Sequence, residues 1–429
     1  MRPPEPARAP PDSTPPEETT ETQDWRRTLF VMWGVQLLVV AGMGLILPFL
    51  PLLVRSYGVD DPASVQRWSG AIFSGPFLCA ALMTPVWGWV GDRVGRKLMV
   101  VRSLVGLSAA LFLMSFARSP GQLLLLRFLQ GTVSGFIPAA IALVSATAPR
   151  EQQGYALGTL SSAQAAGVVV GPLVGGVLAD VIGFRALFYV TAAVEFSAAL
   201  AVWRLVAAPH SRRRRRRSSS LKRNAAFARR HPLPVSLLGL FCTQFALLLV
   251  QPFFALFVES LGVPEARLSS TTGILFGSTG AAMGVAAPFW GRAGDRFGRR
   301  RALVLACGGA AVVFLLQASA RSVHTLLVFR LLQGLFAAAM LPAFYAVIAQ
   351  ATPERRRAGM MAFGSSATLL GGVVGPLAGG ALAARFGMRA AFGIGAALLA
   401  LNVLNAWRLP SDGVARAPRA RRSWELPSH

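Results

Sequence analysis

Apolar blocks long enough to cross a lipid bilayer recur along almost the whole chain. About 20 consecutive apolar residues span the hydrocarbon core as a helix, and short charged gaps separate the blocks here. Hydrophobic residues make up 54% of the chain and charged residues only 14%, whereas soluble domains carry about 25% charged residues. Isolated strands would leave backbone groups unpaired in lipid. We therefore predict an all-α membrane protein with twelve transmembrane helices.

The longest polar segment, residues 207–232, divides these blocks six and six. The predicted spans are 28–54, 68–90, 98–117, 121–146, 154–181, 185–206, 233–258, 268–290, 302–320, 323–350, 358–384 and 388–408. We predict one six-helix bundle over 25–206, a basic cytoplasmic linker over 207–232 and a second bundle over 233–409. The Pro-, Glu- and Thr-rich residues 1–24 are expected to be a disordered cytoplasmic tail, and residues 410–429 a second one.

The net charge of +25 would fit a nucleic-acid partner, but its placement argues against one. Lys and Arg concentrate in alternate gaps between apolar blocks, as the positive-inside rule predicts for a multi-pass membrane protein with both termini in the cytoplasm. We expect no nucleic-acid partner and a location in a bacterial plasma membrane. The six arginines Arg212–Arg217 are either a solvated linker or a contact for anionic lipid headgroups.

Enzyme and cofactor motifs are missing from the sequence. The three cysteines lie within apolar blocks without disulfide or metal-ligand spacing, so they are expected to be buried hydrophobes. There is no HExxH, phosphate-binding loop or nucleophile motif. We expect no metal, no cofactor and no enzymatic activity.

Four motifs of the first half recur in the second half at an offset of 203 or 204 residues. Gly91–Lys97 matches Gly294–Arg300, and Arg127-x-x-Gln130-Gly131 matches Arg330-x-x-Gln333-Gly334. Gly171-Pro172-x-x-Gly175-Gly176 and Pro48-Phe49 also recur, at 375 and 252. Such a repeat indicates two pseudo-symmetric six-helix bundles, with a substrate site between them near the middle of the bilayer.

These motifs resemble those of the major facilitator superfamily over about residues 25–410. The turn after span 2, Gly88-x-x-Gly91-Asp92-Arg93-x-Gly95-Arg96-Lys97, is similar to its signature loop. Gly167, Gly171, Pro172, Gly175 and Gly176 in span 5 resemble its antiporter motif, which Gly375 and Pro376 repeat in span 11. The end of span 1, Leu47–Leu52, resembles the twelve-span drug:proton antiporter branch. The resemblance implies proton-driven export by alternating access.

The signature turns are expected to be gates or simple basic anchors. Gly91 and Gly95 permit backbone angles that other residues resist, and Asp92 is placed to accept hydrogen bonds from helix-start amides. The resemblance implies that these turns latch the halves together at the cytoplasmic side, and Asp295 is expected to do the same in the second half. The charged residues concerned are Arg93, Arg96 and Lys97, with Arg296 and Arg299 in the second copy.

Three of the charged side chains within the predicted spans are candidate functional residues. Arg127 and Arg330 are costly in lipid and need partners, so each is either bonded to neighbouring carbonyls or, for Arg127 above all, controls the protonation of a carboxyl. Glu195 in span 6 is a candidate proton carrier or a protonated, hydrogen-bonded structural residue. Span 1 lacks the acidic residue of some drug antiporters, so the coupling carboxyl stays unassigned at this point.

Two further sets of residues follow from the repeat. Arg55 and Glu259 occupy equivalent outer ends of spans 1 and 7 with opposite charges, and we expect them to pair when an outer gate closes or to remain solvated. By resemblance, spans 1, 4, 7 and 10 line the cavity. Their candidate substrate-contacting residues are Gln36, Gln244, Gln251, Phe336, Met340, Phe344 and Tyr345.

The sequence thus predicts a proton-coupled exporter of hydrophobic drugs or natural products. Aromatic, Met and amide side chains suit bulky amphipathic substrates, although plain interhelical packing is the alternative for each residue. A specific sugar or amino-acid symporter or exporter of the same fold is the competing hypothesis. Two fused halves are expected to function as a monomer.

Overall fold

The computed structural model describes residues 18–207 and 221–410. Most of the two predicted tails and the arginine run Arg212–Arg217 lie outside these ranges. The first helix begins at Glu18, inside the segment predicted to be a tail. A short helix, Leu221–Ala228, occupies the end of the predicted linker.

The first half contains spans 1 to 6. Span 1 is Glu18–Ile46, continued through the 3₁₀ turn Leu47–Phe49 into Leu50–Arg55; span 2 is Pro62–Val94; span 3 is Arg96–Met114; span 4 is Pro120–Val133 with Phe136–Thr147; and spans 5 and 6 share Gln153–Leu205. The last of these, 53 residues long, is divided at Gly183, whose backbone is not helical.

The second half repeats this order with spans 7 to 12. Span 7 is Leu233–Leu249, the 3₁₀ turn Gln251–Phe253 and Phe254–Glu259; span 8 is Leu268–Phe297, after the 3₁₀ turn Glu265–Arg267; span 9 is Arg299–Ala318; span 10 is Val323–Ala351; span 11 is Glu354–Phe386; and span 12 is Met388–Trp407. Within the described ranges eleven helical units are long and apolar enough to cross a membrane. Because Gly183 divides one of them, the twelve predicted spans are confirmed.

A single glycine joins the two spans in each of four pairs: spans 2 and 3, 5 and 6, 8 and 9, and 11 and 12. Gly95, Gly183, Gly298 and Gly387 have φ of 96°, 76°, 92° and 86°, with ψ between 142° and 166°. This region is essentially restricted to glycine, so each glycine reverses the chain within one residue. The special backbone angles predicted for Gly91 are wrong: Gly91 lies inside the helix of span 2, where it leaves room for Met99, the nearest neighbour of an added Cβ at 3.2 Å.

Span 4 departs from the symmetry between the halves. Its helix is interrupted at Ser134 and Gly135, and Gly135 has a left-handed φ of 115°. The equivalent span 10 is continuous from Val323 to Ala351. Arg102 of span 3 donates from Nη2 to the Ser134 carbonyl at 3.0 Å, which satisfies one acceptor that the break exposes.

Each half buries its own core, and large apolar side chains remain on the outside. Phe253, Phe314 and Phe392 are fully buried in the second half, and the Phe392 ring centroid lies 5.6 Å from that of Phe253 and 6.3 Å from that of Phe314. By contrast, Leu82 and Val181 are 67% and 75% exposed. A surface with so many exposed apolar side chains fits a lipid environment.

Candidate transport pathway between the two bundles

The two halves meet along spans 5 and 8, where glycines allow the backbones to touch. A Cβ added to Gly176 would lie 2.5 Å from the Ser269 carbonyl oxygen. A Cβ added to Gly273 would collide with the Pro172 carbonyl oxygen. Small residues thus bring the two helices into direct backbone contact.

Spans 2 and 11 form the symmetry-related contact. A Cβ on Gly70 would lie 2.6 Å from the Pro376 carbonyl oxygen and 3.3 Å from Gly380 Cα. Ser74 Oγ donates to the Val373 carbonyl at 2.6 Å. The pair of contacts, 2–11 and 5–8, holds the halves together around the axis that relates them.

The remaining glycines of the antiporter motif face span 1 rather than the other half. A Cβ on Gly167, Gly171 or Gly175 would lie 2.5 to 2.8 Å from atoms of Val40, Ala41 or Leu45. Gly371 and Gly375 pack in the same way on span 7, against Phe241 and Phe245. Spans 5 and 11 therefore carry one glycine face toward their own bundle and a second toward the partner bundle, and both helices continue through Pro172 and Pro376. This geometry supports the close-packing interpretation of the motif.

Arg55 and Glu259 form a bidentate ion pair across the axis. Arg55 Nη1 donates to Glu259 Oε1 at 2.7 Å and Nη2 donates to Oε2 at 2.9 Å. The side chains are 43% and 33% exposed. The pairing expected from the repeat is present. It joins the two bundles at the end where spans 1 and 7 terminate, at Arg55 and Glu259.

At the opposite end, which carries the signature turns, the halves diverge. A Cβ added to any of five glycines near this end would have no heavy atom within 4 Å: Gly88 of span 2, Gly154 and Gly158 of span 5, and Gly284 and Gly291 of span 8. The same helices are in backbone contact with the other half at Gly70, Gly176 and Gly273. The space between the bundles is therefore closed at the Arg55–Glu259 end and open at the end that carries the signature turns, called here the basic end.

The signature-turn residues make contacts within their own halves. Lys97 Nζ donates to the Trp203 carbonyl at 2.8 Å, and Arg96 Nη1 donates to the Ala142 carbonyl at 3.3 Å. The Arg93 guanidinium lies 3.5 Å from the Trp89 ring centroid. In the second half, Arg296 lies over Phe297 and Arg300 over Trp407.

The ion pair of Asp295 lies within its own half, and the latch between the halves expected of this residue stays a prediction. Its carboxylate lies 3.9 Å from Arg299 Nη2 and is 78% exposed, and the helix that begins at Arg299 has no side-chain cap. Asp295 belongs to the last turn of span 8 and lies one helical turn before the amides of span 9, so it does not cap that helix. The side chain of Asp92 lies outside what the structure describes.

Arg127 and Arg330 have equivalent, fully internal partners. Arg127 donates from Nη1 to Gln130 Oε1 at 2.6 Å and from Nε to the Ile72 carbonyl at 3.2 Å. Arg330 repeats this with Gln333 Oε1 at 2.8 Å and the Leu275 carbonyl at 3.3 Å. Among the described side chains no carboxylate forms an ion pair with either arginine. The geometry supports the structural alternative over control of a carboxyl.

Glu195 is the one buried carboxyl among the described side chains, with 1% exposure. It belongs to span 6 but is directed at span 1, because a Cβ on Gly42 would lie 3.5 Å from Glu195 Oε1 and 2.9 Å from the Thr191 methyl group. Its Oε2 has no hydrogen-bond partner. The hydrogen bond predicted by the structural alternative is therefore missing at this oxygen.

The candidate cavity residues fall into two groups. Gln36, Met340 and Phe344 are buried, at 1%, 0% and 0% exposure. Phe344 fits against Gly239 of span 7, so these three pack between helices in this conformation instead of lining open space. Partly accessible positions are Gln244, Gln251, Phe336 and Tyr345. Tyr345 contacts Thr368 of span 11 through its hydroxyl at 3.0 Å.

One inter-half contact was missed by the sequence reasoning. Asp180, at the end of span 5, accepts hydrogen bonds from the backbone amides of Ser269 and Ser270 in span 8. The sequence held a signal: Arg267, the residue before span 8, is not a residue type that caps a helix. Asp180 adds a third polar link at the closed end.

Comparison with known proteins decides the family. The Major Facilitator Superfamily profile matches residues 32–272 and 237–427, which together take in both halves. The chain belongs to the major facilitator superfamily. It is 34% identical over 390 residues to the multidrug resistance protein MdtG of Proteus mirabilis, covering 89% of this chain and 96% of that protein. It is 36% identical over 392 residues to the uncharacterized MFS-type transporter YuxJ of Bacillus subtilis, covering 90% and 100%.

Solved structures share the fold at low sequence identity. An inward-facing, unoccupied bacterial homologue of the human lysosomal transporter Spinster superposes with a TM-score of 0.73 at 16% identity, over 89% of this chain and 96% of that one. The nucleoside transporter NupG gives 0.74 at 13% identity, over 88% and 98%. This major facilitator chain is a multi-pass membrane protein of a transporter family.

Proposed function

We propose that the chain is a proton-coupled exporter of hydrophobic drugs or natural products that works by alternating access as a monomer. The observation that carries the proposal is the near full-length similarity to the multidrug resistance protein MdtG, with 34% identity over 89% of the chain. Two bundles that touch at one end and diverge at the other are one of the two states that such a cycle needs.

The orientation of the proposal follows from charge. The signature turns and the linker, together with the other loops on the same side and the two ends of the chain, carry most of the basic residues. The positive-inside rule therefore assigns the open end to the cytoplasm of a bacterial plasma membrane. Substrate would then enter the open space from the cytoplasm or the inner leaflet. Exposed Arg93 and Arg96 stand where anionic lipid headgroups would meet the protein.

The substrate class follows from the scarcity of charge in the interior. Among the described residues the buried charged side chains are Arg127, Glu195 and Arg330, and both arginines are already bonded to glutamines. A wall of amides and aromatics without free charge favours amphipathic molecules over charged metabolites, whose recognition needs opposing charges.

Glu195 is the carboxyl that we propose carries the proton. It is removed from water, lacks a partner at Oε2 and faces Gly42 of span 1. A carboxyl inside a membrane span is a candidate proton carrier by default, and contact with water during the cycle would allow it to release the proton. The methyl group of Thr191, from the same span, also lies beside Gly42.

The test is efflux of a dye panel from a pump-deficient bacterial host that expresses the chain. Expression should lower the accumulation of several chemically different amphipathic dyes, and an uncoupler that collapses the proton gradient should restore it. Unchanged accumulation across the panel, combined with exchange of one radiolabelled sugar or amino acid, would instead support the specific metabolite transporter.

A further inference from the structure

The helix of span 8 begins without a capping side chain from its own sequence. Span 2, its counterpart, is capped locally: Asp61 accepts from the amides of Ala63 and Ser64 at 3.4 and 2.9 Å. At the same 203-residue offset as the other span 2 and span 8 matches, the second half has Pro264, which offers no side-chain acceptor. The residue before the helix, Arg267, makes no capping hydrogen bond either.

Asp180 of the other half takes that role. Its Oδ1 accepts from the Ser269 amide at 3.3 Å and its Oδ2 accepts from the Ser270 amide at 2.9 Å. These are the second and third residues of the helix Leu268–Phe297, the positions that an N-cap side chain ordinarily satisfies. Ser269 is only 4% exposed, so water does not readily replace the carboxylate there. The negative charge also suits the positive end of the helix dipole.

We propose that Asp180 is a positioning residue of the transport cycle: it caps span 8 only while the outer side is closed, and so couples the stability of that helix to the closed state. The capping acceptor and the capped helix belong to different bundles. When the bundles separate at this end, as the proposed alternating access requires, both hydrogen bonds must break. Nearby, Gly176 and Ser269 are in backbone contact, so the capping geometry exists only when spans 5 and 8 are packed together.

Span 2 provides the matched comparison inside the same chain. Asp61 caps its helix from the same half, so its two hydrogen bonds persist in either state. Loss of one capping side chain changes an equilibrium by roughly fivefold. Removal of Asp180 should therefore move the inward–outward equilibrium toward the outward-open state by about fivefold, whereas removal of Asp61 should leave that equilibrium unchanged.

The test measures accessibility from the outside of intact cells. Leu256 of span 7 is 5% exposed and packs among first-half residues at the closed end, so Leu256→Cys reports on opening through its rate of reaction with a membrane-impermeant maleimide. The parent with its native cysteines gives the background. We expect Asp180→Ala to raise the labelling rate about fivefold, Asp180→Asn to raise it less because one acceptor oxygen remains, and Asp61→Ala to leave it at the parental value.

Two results would overturn the inference: an unchanged rate in Asp180→Ala, or an equal rise in Asp61→Ala, which would reduce the effect to helix capping in general. If Asp180→Ala does not accumulate in the membrane, the same comparison is made with Asp180→Asn. Labelling requires neither substrate nor a proton gradient, so a failure of the drug-export proposal in the dye assay leaves this outcome independent.

Discussion

Arg55 and Glu259 occupy equivalent positions in the two repeats of the six-helix bundle, and they form an ion pair with each other. The residues are 204 positions apart, and both oxygens of the carboxylate accept from the guanidinium at 2.7 and 2.9 Å. Pseudo-two-fold symmetry brings equivalent residues together near its axis, so a contact between charged residues there is favourable only when the two copies carry opposite charges. The repeat explains why the two residues lie close together, and their difference in charge explains why they attract each other.

The first prediction concerns this ion pair. Glu259→Lys places two cations across the axis and should open the outer end. Because the Arg55 and Glu259 side chains are 43% and 33% exposed, the ion pair contributes at most about 1 kcal/mol. The rate at which Leu256→Cys reacts from outside should therefore rise by up to about fivefold. The double variant Arg55→Glu/Glu259→Lys should return to the parental rate. Failure of the double exchange to restore it would exclude a pairwise gate.

A second prediction uses two glycines on one helix. Gly273→Ala adds a methyl group that collides with Pro172 of the other half, whereas Gly284→Ala adds the same group where no heavy atom lies within 4 Å. Overpacking costs about 1–3 kcal/mol, and here separation of the bundles relieves it. Gly273→Ala should therefore increase outside labelling of Leu256→Cys, and Gly284→Ala should not. Equal labelling in both variants would contradict the backbone contact between spans 5 and 8.

The third prediction tests the proposed proton carrier. Glu195→Gln keeps the shape of the protonated side chain but cannot release a proton, so uncoupler-sensitive efflux should be lost while exchange of substrate down its own gradient continues. Glu265 is an exposed glutamate in the 3₁₀ turn before span 8. Glu265→Gln is the control and should transport normally. If Glu195→Gln retained full uncoupler-sensitive efflux, the proton would have to be carried by another group.

The fourth prediction ranks two buried glutamines by stability. Gln333 Oε1 accepts from both Arg330 Nη1 and Gln317 Nε2, at 2.8 and 3.1 Å, while Gln130 Oε1 accepts from Arg127 Nη1 at 2.6 Å. Each buried donor left unsatisfied costs about 1–3 kcal/mol. Gln333→Leu should thus lower the thermal unfolding midpoint of the purified protein more than Gln130→Leu does. The reverse order would show that the Gln317 bond contributes little.

Sequence alone determined the number of spans, the two-fold repeat and the family. These follow from local physics: lipid demands about 20 apolar residues for each helix, and a repeat at one offset is visible without coordinates. It also predicted that Arg55 and Glu259 would meet, because duplication relates their positions. The turn glycine Gly95 was recognised for the same local reason, since its φ of 96° is a property of one residue.

The tertiary structure was needed to show which helix most of the candidate side chains pack against. It placed Met340 and Phe344 in the core rather than at the cavity. It also directed Glu195 at Gly42 and showed that Asp180 accepts a hydrogen bond from the amide of a residue 89 positions further along the chain. Helical periodicity gives the direction of a side chain around its own axis, but not the rotation of that axis against its neighbours. In lipid every face of a span is apolar, so the pattern that separates core from surface in soluble proteins carries little information here.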